Sequence, residues 1–353
     1  MTDPRDDISM RGAADMPRSA TISVIVPAYN GDRVLGSCLE PLARMLGDHE
    51  IAEIIVVDDG STDASAWVAT QGGARVMASG GRLGPGGARN RGASVASGDV
   101  LWFVDADVVV HPDAARVLRD VLARSDAAAV FGTYDEFPAA TNFLSQYKNL
   151  AHRHHHVHAE REAETFWAGC GAVRAGAFRR IGGFDAERYR EPSIEDIELG
   201  IRLRRHGYRI LIEPELQSRH LKEWRLAGLL RTDIVQRAYP WAELMREHRL
   251  PPTLNVGIGE RLRAGLAWAL ACAIAAFLVR SLAGWWVAAL FGAAIAVNLP
   301  LFSLFRRVNG TLFALGAIAF HQFHYLYASA AFVACRLGWT PGRSRPSTTS
   351  TSA

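Results

Sequence analysis

Val100 to Asp107 reads Val-Leu-Trp-Phe-Val-Asp-Ala-Asp, and this stretch decides the fold. Its apolar run is rich in β-branched and aromatic types and follows the turn pair Gly98-Asp99. That pattern predicts a strand buried on both faces, and so central in its sheet. The strand stops at Asp105 and Asp107, whose side chains an extended chain points the same way. Two like charges at a strand end repel unless a cation sits between them. A hard divalent ion meets that need, taking one or two carboxylates and leaving its other positions to a diphosphate. A solvated strand end explains an isolated Asp-x-Asp just as well, so the neighbouring segments must decide.

Outward from this strand the same pattern repeats. Ile22 to Val26 is a β-branched run ending at Pro27-Ala28-Tyr29-Asn30, where proline is expected to stop a central ladder. A helix pattern follows with Val34, Leu35, Cys38, Leu39 and Leu42 on one face. Ile54 to Val57 ends in Asp58 and Asp59 before Gly60-Ser61-Thr62-Asp63, in which Ser61 or Thr62 can cap the next helix. A third strand around Ala74 to Ala78 leads to the glycine-rich loop Gly80 to Gly87. The helix start Ala88-Arg89-Asn90-Arg91-Gly92-Ala93 comes next, its small residues suited to close packing. Strands alternating with helical patterns predict an α/β fold with a parallel sheet, helices on both faces and ligands at the carboxyl ends of the strands. Taken singly, each of these aspartates is equally a helix cap or a turn former. Together they mark one crevice.

These motifs, in this order, resemble those of family 2 glycosyltransferases with the GT-A fold, from about residue 21 to residue 245. The resemblance implies a Rossmann-like nucleotide-diphospho-sugar transferase sheet and inverting transfer from a nucleotide-sugar donor, with a UDP-sugar expected. It also implies a divalent metal, Mg2+ or Mn2+. By position it puts Asp58 on the base, with Asp59 as its alternative. Pro27, Tyr29 and Arg89 would lie against the nucleotide, Asp105 near the ribose and metal, and Asp107 on the metal. Phe166-Trp167-Ala168-Gly169-Cys170 would line the acceptor side, placing Trp167 and Gly169 near the sugar; a packed core turn is the equal alternative.

Ser193-Ile194-Glu195-Asp196 opens a helix whose dipole favours anions in the first turn. Its body of Ile197, Leu199, Ile201 and Leu203 would carry that turn into the protein. The resemblance makes Asp196 the general base on the acceptor hydroxyl, with Glu195 as the alternative. His220 resembles the histidine that completes the metal shell in some relatives. Its segment departs from the Gln-Arg-x-x-Arg-Trp pattern of processive synthases, so single addition is expected. The histidines between His152 and His158 lie on a predicted helix without a thiolate or carboxylate pattern, and read as a partly solvated face or a cationic wall near an anionic acceptor.

The chain has 353 residues, 49% hydrophobic and 21% charged, and its net charge of +3 gives no support to nucleic-acid binding. Cys38, Cys170, Cys272 and Cys335 are too widely spaced for a zinc or disulfide framework, which suits a reducing compartment. Residues 1 to 20 read as a disordered tail, 21 to 245 as the catalytic domain and 246 to 263 as a basic juxtamembrane linker. Within the domain's end, Leu226 to Ala238 is a helical stripe suited to a membrane surface or to packing on the enzyme. Residues 264 to 335 read as three transmembrane helices, Ala264 to Val279, Leu282 to Phe305 and Leu312 to Ala334, and 336 to 353 as a second tail. Asn298, His321, Gln322 and His324 are polar at that depth. The arginines predict a multi-pass protein of the inner or plasma membrane with a cytoplasmic catalytic domain. A lipid-linked or glycan acceptor follows from that anchor. The alternatives are a polyprenyl-phosphate acceptor, a nucleotidyltransferase of similar sheet, and a non-catalytic membrane scaffold that binds nucleotide sugar.

Overall fold

The computed structural model describes residues 20–248, 257–281 and 283–339. The expected first tail up to residue 19, part of the linker and most of the second tail lie outside the described residues. The chain divides into two compact units, one running to Arg225 with Leu299–Ala317, the other formed by Leu226–Asn298 and the residues from Ile318.

The first unit begins with β1 (Ile22–Ala28), α1 (Asp32–Gly47), β2 (Glu53–Asp58), α2 (Ser65–Gln71), β3 (Arg75–Ala78) and α3 (Gly84–Val95). β4 (Val100–Val104), β5 (Val108–Val110), α4 (Ala114–Arg124), β6 (Ala129–Tyr134) and α5 (Phe143–Val157) follow. β7 (Cys170–Arg174), α6 (Ala175–Arg180), α7 (Glu195–Arg205) and β8 (Ile210–His220) complete its core.

All eight strands form one sheet in the order β3-β2-β1-β4-β7-β6-β8-β5. The parallel expectation holds for β3, β2, β1 and β4. Beyond β4 it holds for β6 and β8, which pair parallel, and fails for two strands: β7 runs antiparallel to β4 and β6, and β5 runs antiparallel to β8. An apolar strand covered on both faces reads the same in either direction, so the pattern of residues could not show this. β4 is buried along its whole length. Trp102 packs into one core layer with Leu35 and Leu39 of α1, and Phe103 into the other with Phe166, Phe178 and Leu199. Gly92 explains how α3 fits: a Cβ there would come within 2.6 Å of Ile25 Cγ2.

Pro27 does not end β1. It pairs with Val57 on one side, while the ladder to β4 has already stopped at Ile25 opposite Phe103. Proline's missing N–H is therefore harmless at this position. The start of α2 also differs from expectation, since Asp63 Oδ1 accepts from Ser65 N at 2.9 Å while the Ser61 hydroxyl accepts from Asn30 N at 3.0 Å. α5 is capped by Asn142, whose Oδ1 accepts from Ser145 N at 3.0 Å.

The second unit holds α8 (Leu226–Arg231), a π turn at Thr232–Ala238, α9 (Tyr239–His248), α10 (Ile258–Leu278), α11 (Gly284–Ala296) and the later part of α12 (Leu299–Arg336). The expectation of three spans, and of a multi-pass protein, is not supported. Among the described residues α10 alone is long and apolar enough to cross a membrane, and α11 and α12 pass the same test only as a pair bent by 74°. The apolar run from Leu282 to Phe305 breaks at Val297 and Asn298, and the 13 residues of α11 reach only about 20 Å at the helical rise, short of a core of about 30 Å. α10 takes Arg261 and Arg263 into its first turns instead of leaving them in a linker. Several polar residues of this unit pair within it. Tyr325 Oη meets Glu260 Oε2 at 2.9 Å and Asn298 Oδ1 at 3.3 Å, and Tyr327 Oη donates to Asp233 Oδ2 at 2.7 Å. His324 Nδ1 lies 2.7 Å from Tyr327 Oη.

Candidate active site

The carboxyl ends of β1, β2 and β4 place Tyr29, Asp58, Asp59, Asp105 and Asp107 along one edge of the parallel strands. Asp58 and Asp59 are next to each other in sequence but do different work. Asp59 is buried, its Oδ1 and Oδ2 accepting from Leu83 N and Gly84 N at 2.8 Å each. It stoppers the start of α3, so the glycine-rich loop is not a phosphate cradle of the P-loop kind. Asp58 is half-buried and uses Oδ1 to accept from Ser61 N at 3.0 Å.

Arg89, buried on α3, joins the two halves of the site. Its Nη2 donates to Asp105 Oδ1 at 2.6 Å and its Nη1 to Glu195 Oε1 at 2.9 Å. Burial alone would disfavour the guanidinium charge, but Asp105, Glu195 and Asp196 more than offset it and hold the group above its ordinary value. Glu195 is buried and also accepts from Ser193 N at 3.0 Å through Oε2. Asp196 is half-buried; its Oδ2 accepts from Ala168 N at 3.2 Å and its Oδ1 from Ile197 N at 2.8 Å. α7 is fixed behind them by Arg202, which donates to the carbonyls of Ile181 and Gly183 at 2.7 Å.

The antiparallel pairing of β5 with β8 sets Val108 opposite His220, and so returns His220 to the end of β4. His220 Nε2 lies 3.6 Å from Asp107 Oδ2. Burial works against the Asp107 charge, yet His220 and Lys222 outweigh it and keep the carboxyl below its ordinary value. Asp105 is pushed up by burial, which Arg89 only partly offsets, and by its neighbour Asp107. Among the described residues no group of three or more His, Cys, Asp or Glu side chains is arranged to hold a metal ion. The expected trio is split. Asp107 and His220 face each other, and Asp105 is engaged by Arg89. A divalent ion that keeps phosphate and water ligands needs no more than one or two protein carboxylates, so the Asp107 and His220 pair still suits one.

His220 stacks on Tyr134 with ring centroids 4.5 Å apart, and Tyr134 meets Trp167 edge-on at 4.9 Å. His152 and His156 complete this wall, with rings 4.9 and 5.4 Å from Trp167. The glycine next along the chain is obligatory, because a Cβ at Gly169 would fall 2.6 Å from the indole. The contacts thus run from Asp107 through His220, Tyr134 and Trp167 to Ala168 and Asp196, and from the neighbouring Glu195 through Arg89 to Asp105. Tyr134 gave no sign of this role in the sequence, since it merely ends an apolar strand. Burial raises the thiols of Cys38 and Cys170, Cys170 to about 12, and Cys38 Sγ donates to the Asp105 carbonyl at 3.5 Å.

The family model for glycosyl transferase family 2 matches residues 23–184, which contain Asp58, Asp59, Asp105, Asp107, Arg89 and Trp167. This part of the chain is a family 2 glycosyl transferase domain. Over 235 residues, or 55% of the chain, it is 30% identical to validoxylamine A glucosyltransferase of Streptomyces hygroscopicus subsp. limoneus, covering 50% of that protein. Over 121 residues, or 33% of the chain, it is 36% identical to glycosyltransferase GlyG of Streptococcus pneumoniae serotype 4, covering 40% of it. The chain therefore spans half or less of these curated relatives. A mannosyltransferase from Pyrobaculum calidifontis, solved in complex with GDP-Man and Mn2+, superimposes with a TM-score of 0.55 at 20% identity, over 95% of this chain and 93% of that one. That likeness is one of fold, and the glycosyl transferase domain has the mixed α/β sheet of the GT-A type.

Proposed function

We propose that the chain is an inverting glycosyltransferase that moves a sugar from a nucleotide diphosphate donor to a hydroxyl of a lipid-linked glycan. One observation carries the reading: the chain of contacts that links Asp107 to Asp196 and, from the neighbouring Glu195 through Arg89, returns to Asp105. It supports a donor diphosphate on the Asp107 side and a base on the Asp196 side, the two sides that inversion requires.

Each residue has a distinct task. Asp58 takes the base, because Asp59 is already committed to the loop backbone. Tyr29 and Pro27 line the nucleotide, and Arg89 holds Asp105 toward the ribose. Asp107 and His220 would hold a divalent ion, Mg2+ or Mn2+, which when bound offsets charge on the departing diphosphate. Trp167 and Gly169 shape the acceptor side. Asp196 removes the proton from the attacking hydroxyl; Glu195, buried between Arg89 and Ser193, holds the helix start in place. The relatives named above carry glucosyl and mannosyl transfer in their names, which supports a hexose donor. A panel of nucleotide sugars assayed with membrane lipid extract tests the reading. It expects nucleoside diphosphate release and an inverted anomeric product, and pyrophosphate release would overturn it in favour of nucleotidyl transfer.

Metal dependence is checked in the same assay. Excess chelator stops transfer, Mg2+ or Mn2+ restores it, and Asp107→Asn is not rescued at matched metal. Undiminished transfer in chelator would remove the ion from the proposal.

A membrane anchor is part of the proposal. α10 exposes Leu262, Trp268, Ile274, Phe277 and Leu278, a concentration of large apolar side chains that water does not favour. Arg261 and Arg263 in its first turns favour a cytoplasmic N-terminal side. The full chain is expected to stay with the membrane pellet after washing with high salt and with alkaline carbonate. Release by either wash would show that the helix is covered by protein.

A further inference from the structure

Arg82 lies between a fixed point and a hinge. After it, Asp59 grips Leu83 N and Gly84 N. Before it, Gly80 and Gly81 have φ of +91° and +143°, values that side-chain-bearing residues rarely adopt. The Arg82 guanidinium carbon stands 3.6 Å over the centroid of the Tyr29 ring. Its Nη2 is 3.4 Å from Glu191 Oε2, with side chains 40% and 73% exposed, so water screens that pair and it holds the arm weakly. Tyr29 itself is 44% exposed.

A guanidinium is planar, delocalised and weakly hydrated, and it covers an aromatic face much as a nucleobase does. At 3.6 Å the two groups are in contact, and no third plane fits between them. We infer that the Arg82 guanidinium holds the place of the donor base on Tyr29 and is displaced when the nucleotide binds. The inference rests on the donor site proposed above. Arg82 is then a residue that sets donor affinity: it keeps the Tyr29 face covered in the empty enzyme and subtracts from base binding. The glycine pair lets the arm leave while the Asp59 grip keeps the rest of the loop still.

The test uses the full chain in detergent micelles with Mg2+. UDP and GDP are titrated first, and then the free nucleoside of whichever binds, so that attraction between Arg82 and phosphate does not enter. Arg82→Ala should strengthen nucleoside binding by about two- to fivefold, the worth of an exposed cation–π contact expressed as a ratio. Arg82→Lys, which keeps the charge and loses the plane, should show a gain of the same sign. In a Tyr29→Leu background neither change should strengthen binding. Unchanged or weaker nucleoside binding in both Arg82 variants, with UDP or GDP still bound, overturns the inference alone. Failure of the wild-type chain to bind either diphosphate overturns the donor site and this inference with it.

Discussion

Asp196→Asn is expected to lower turnover on a hydroxyl acceptor by on the order of 10²–10⁴, the usual contribution of a positioned base, while nucleotide binding with metal stays nearly unchanged. A sugar hydroxyl is a poor nucleophile, and inversion brings it to the anomeric carbon from the face opposite the diphosphate. The proposed function puts Asp196 on that face; it sits at the start of α7 and accepts from Ala168 N at 3.2 Å. Asparagine keeps one side-chain oxygen, enough for the Ala168 N contact, and gives up the acceptance from Ile197 N together with the basicity, so nucleotide affinity serves as the control for the fold. Single-turnover rates and nucleotide affinity, measured on the same preparation, separate the outcomes. A much smaller loss points to an ionised phosphate acceptor, which needs no base. Loss of nucleotide affinity together with rate makes Asp196 a structural cap.

Arg89→Met should destabilise the catalytic unit by about 3–5 kcal/mol, the cost of leaving a buried partner uncompensated. Most of that comes from Glu195, since the Arg89 and Glu195 side chains are only 5% and 7% exposed. Asp105 is 35% exposed, and its share is reduced by solvent screening. The expected reading is a drop of about 10 °C in the thermal midpoint for a unit of this size. Adding Glu195→Gln should restore a good part of it, because the orphaned charge is then gone. If the single change costs less than about 1 kcal/mol, as exposed pairs do, Arg89 is no hub. The hub also ties two segments together: one cation fixes the end of β4 and the start of α7 against each other.

Much of the fold was legible because its signals are local. Burial on two faces shows in Val100 to Val104, strand ends show in the aspartates that follow, and the small residues of α3 announce its approach to β1. The order of the motifs carried the family and the residues proposed for the site. Pairing direction was not legible, since hydrogen-bond direction leaves no mark on an apolar run. That left β7 and β5 antiparallel against expectation, and the return of His220 to Asp107 depends on β5. Helix continuity failed in the same way: hydropathy averages over the break at Val297 and Asn298, so three spans were expected where one described helix is long enough alone.

The residue types at the strand ends, and so the positions of Asp58, Asp59, Asp105 and Asp107, can be read from the chain alone. Which partner claims each of them is set by the folded structure. Asp59 became a loop anchor because the start of α3 folds onto it, and Asp58 is therefore the one proposed for the base. Glu195 became the partner of Arg89, 106 residues away in the chain, while Asp196 accepts from Ala168 N. Tyr134 and Arg82 entered the site only through side-chain contacts, one stacking on His220 and the other on Tyr29. The physical reason is the same in each case. A residue's capacity to carry charge or stack is intrinsic to its type, whereas the partner that claims it is set by packing between segments far apart in sequence.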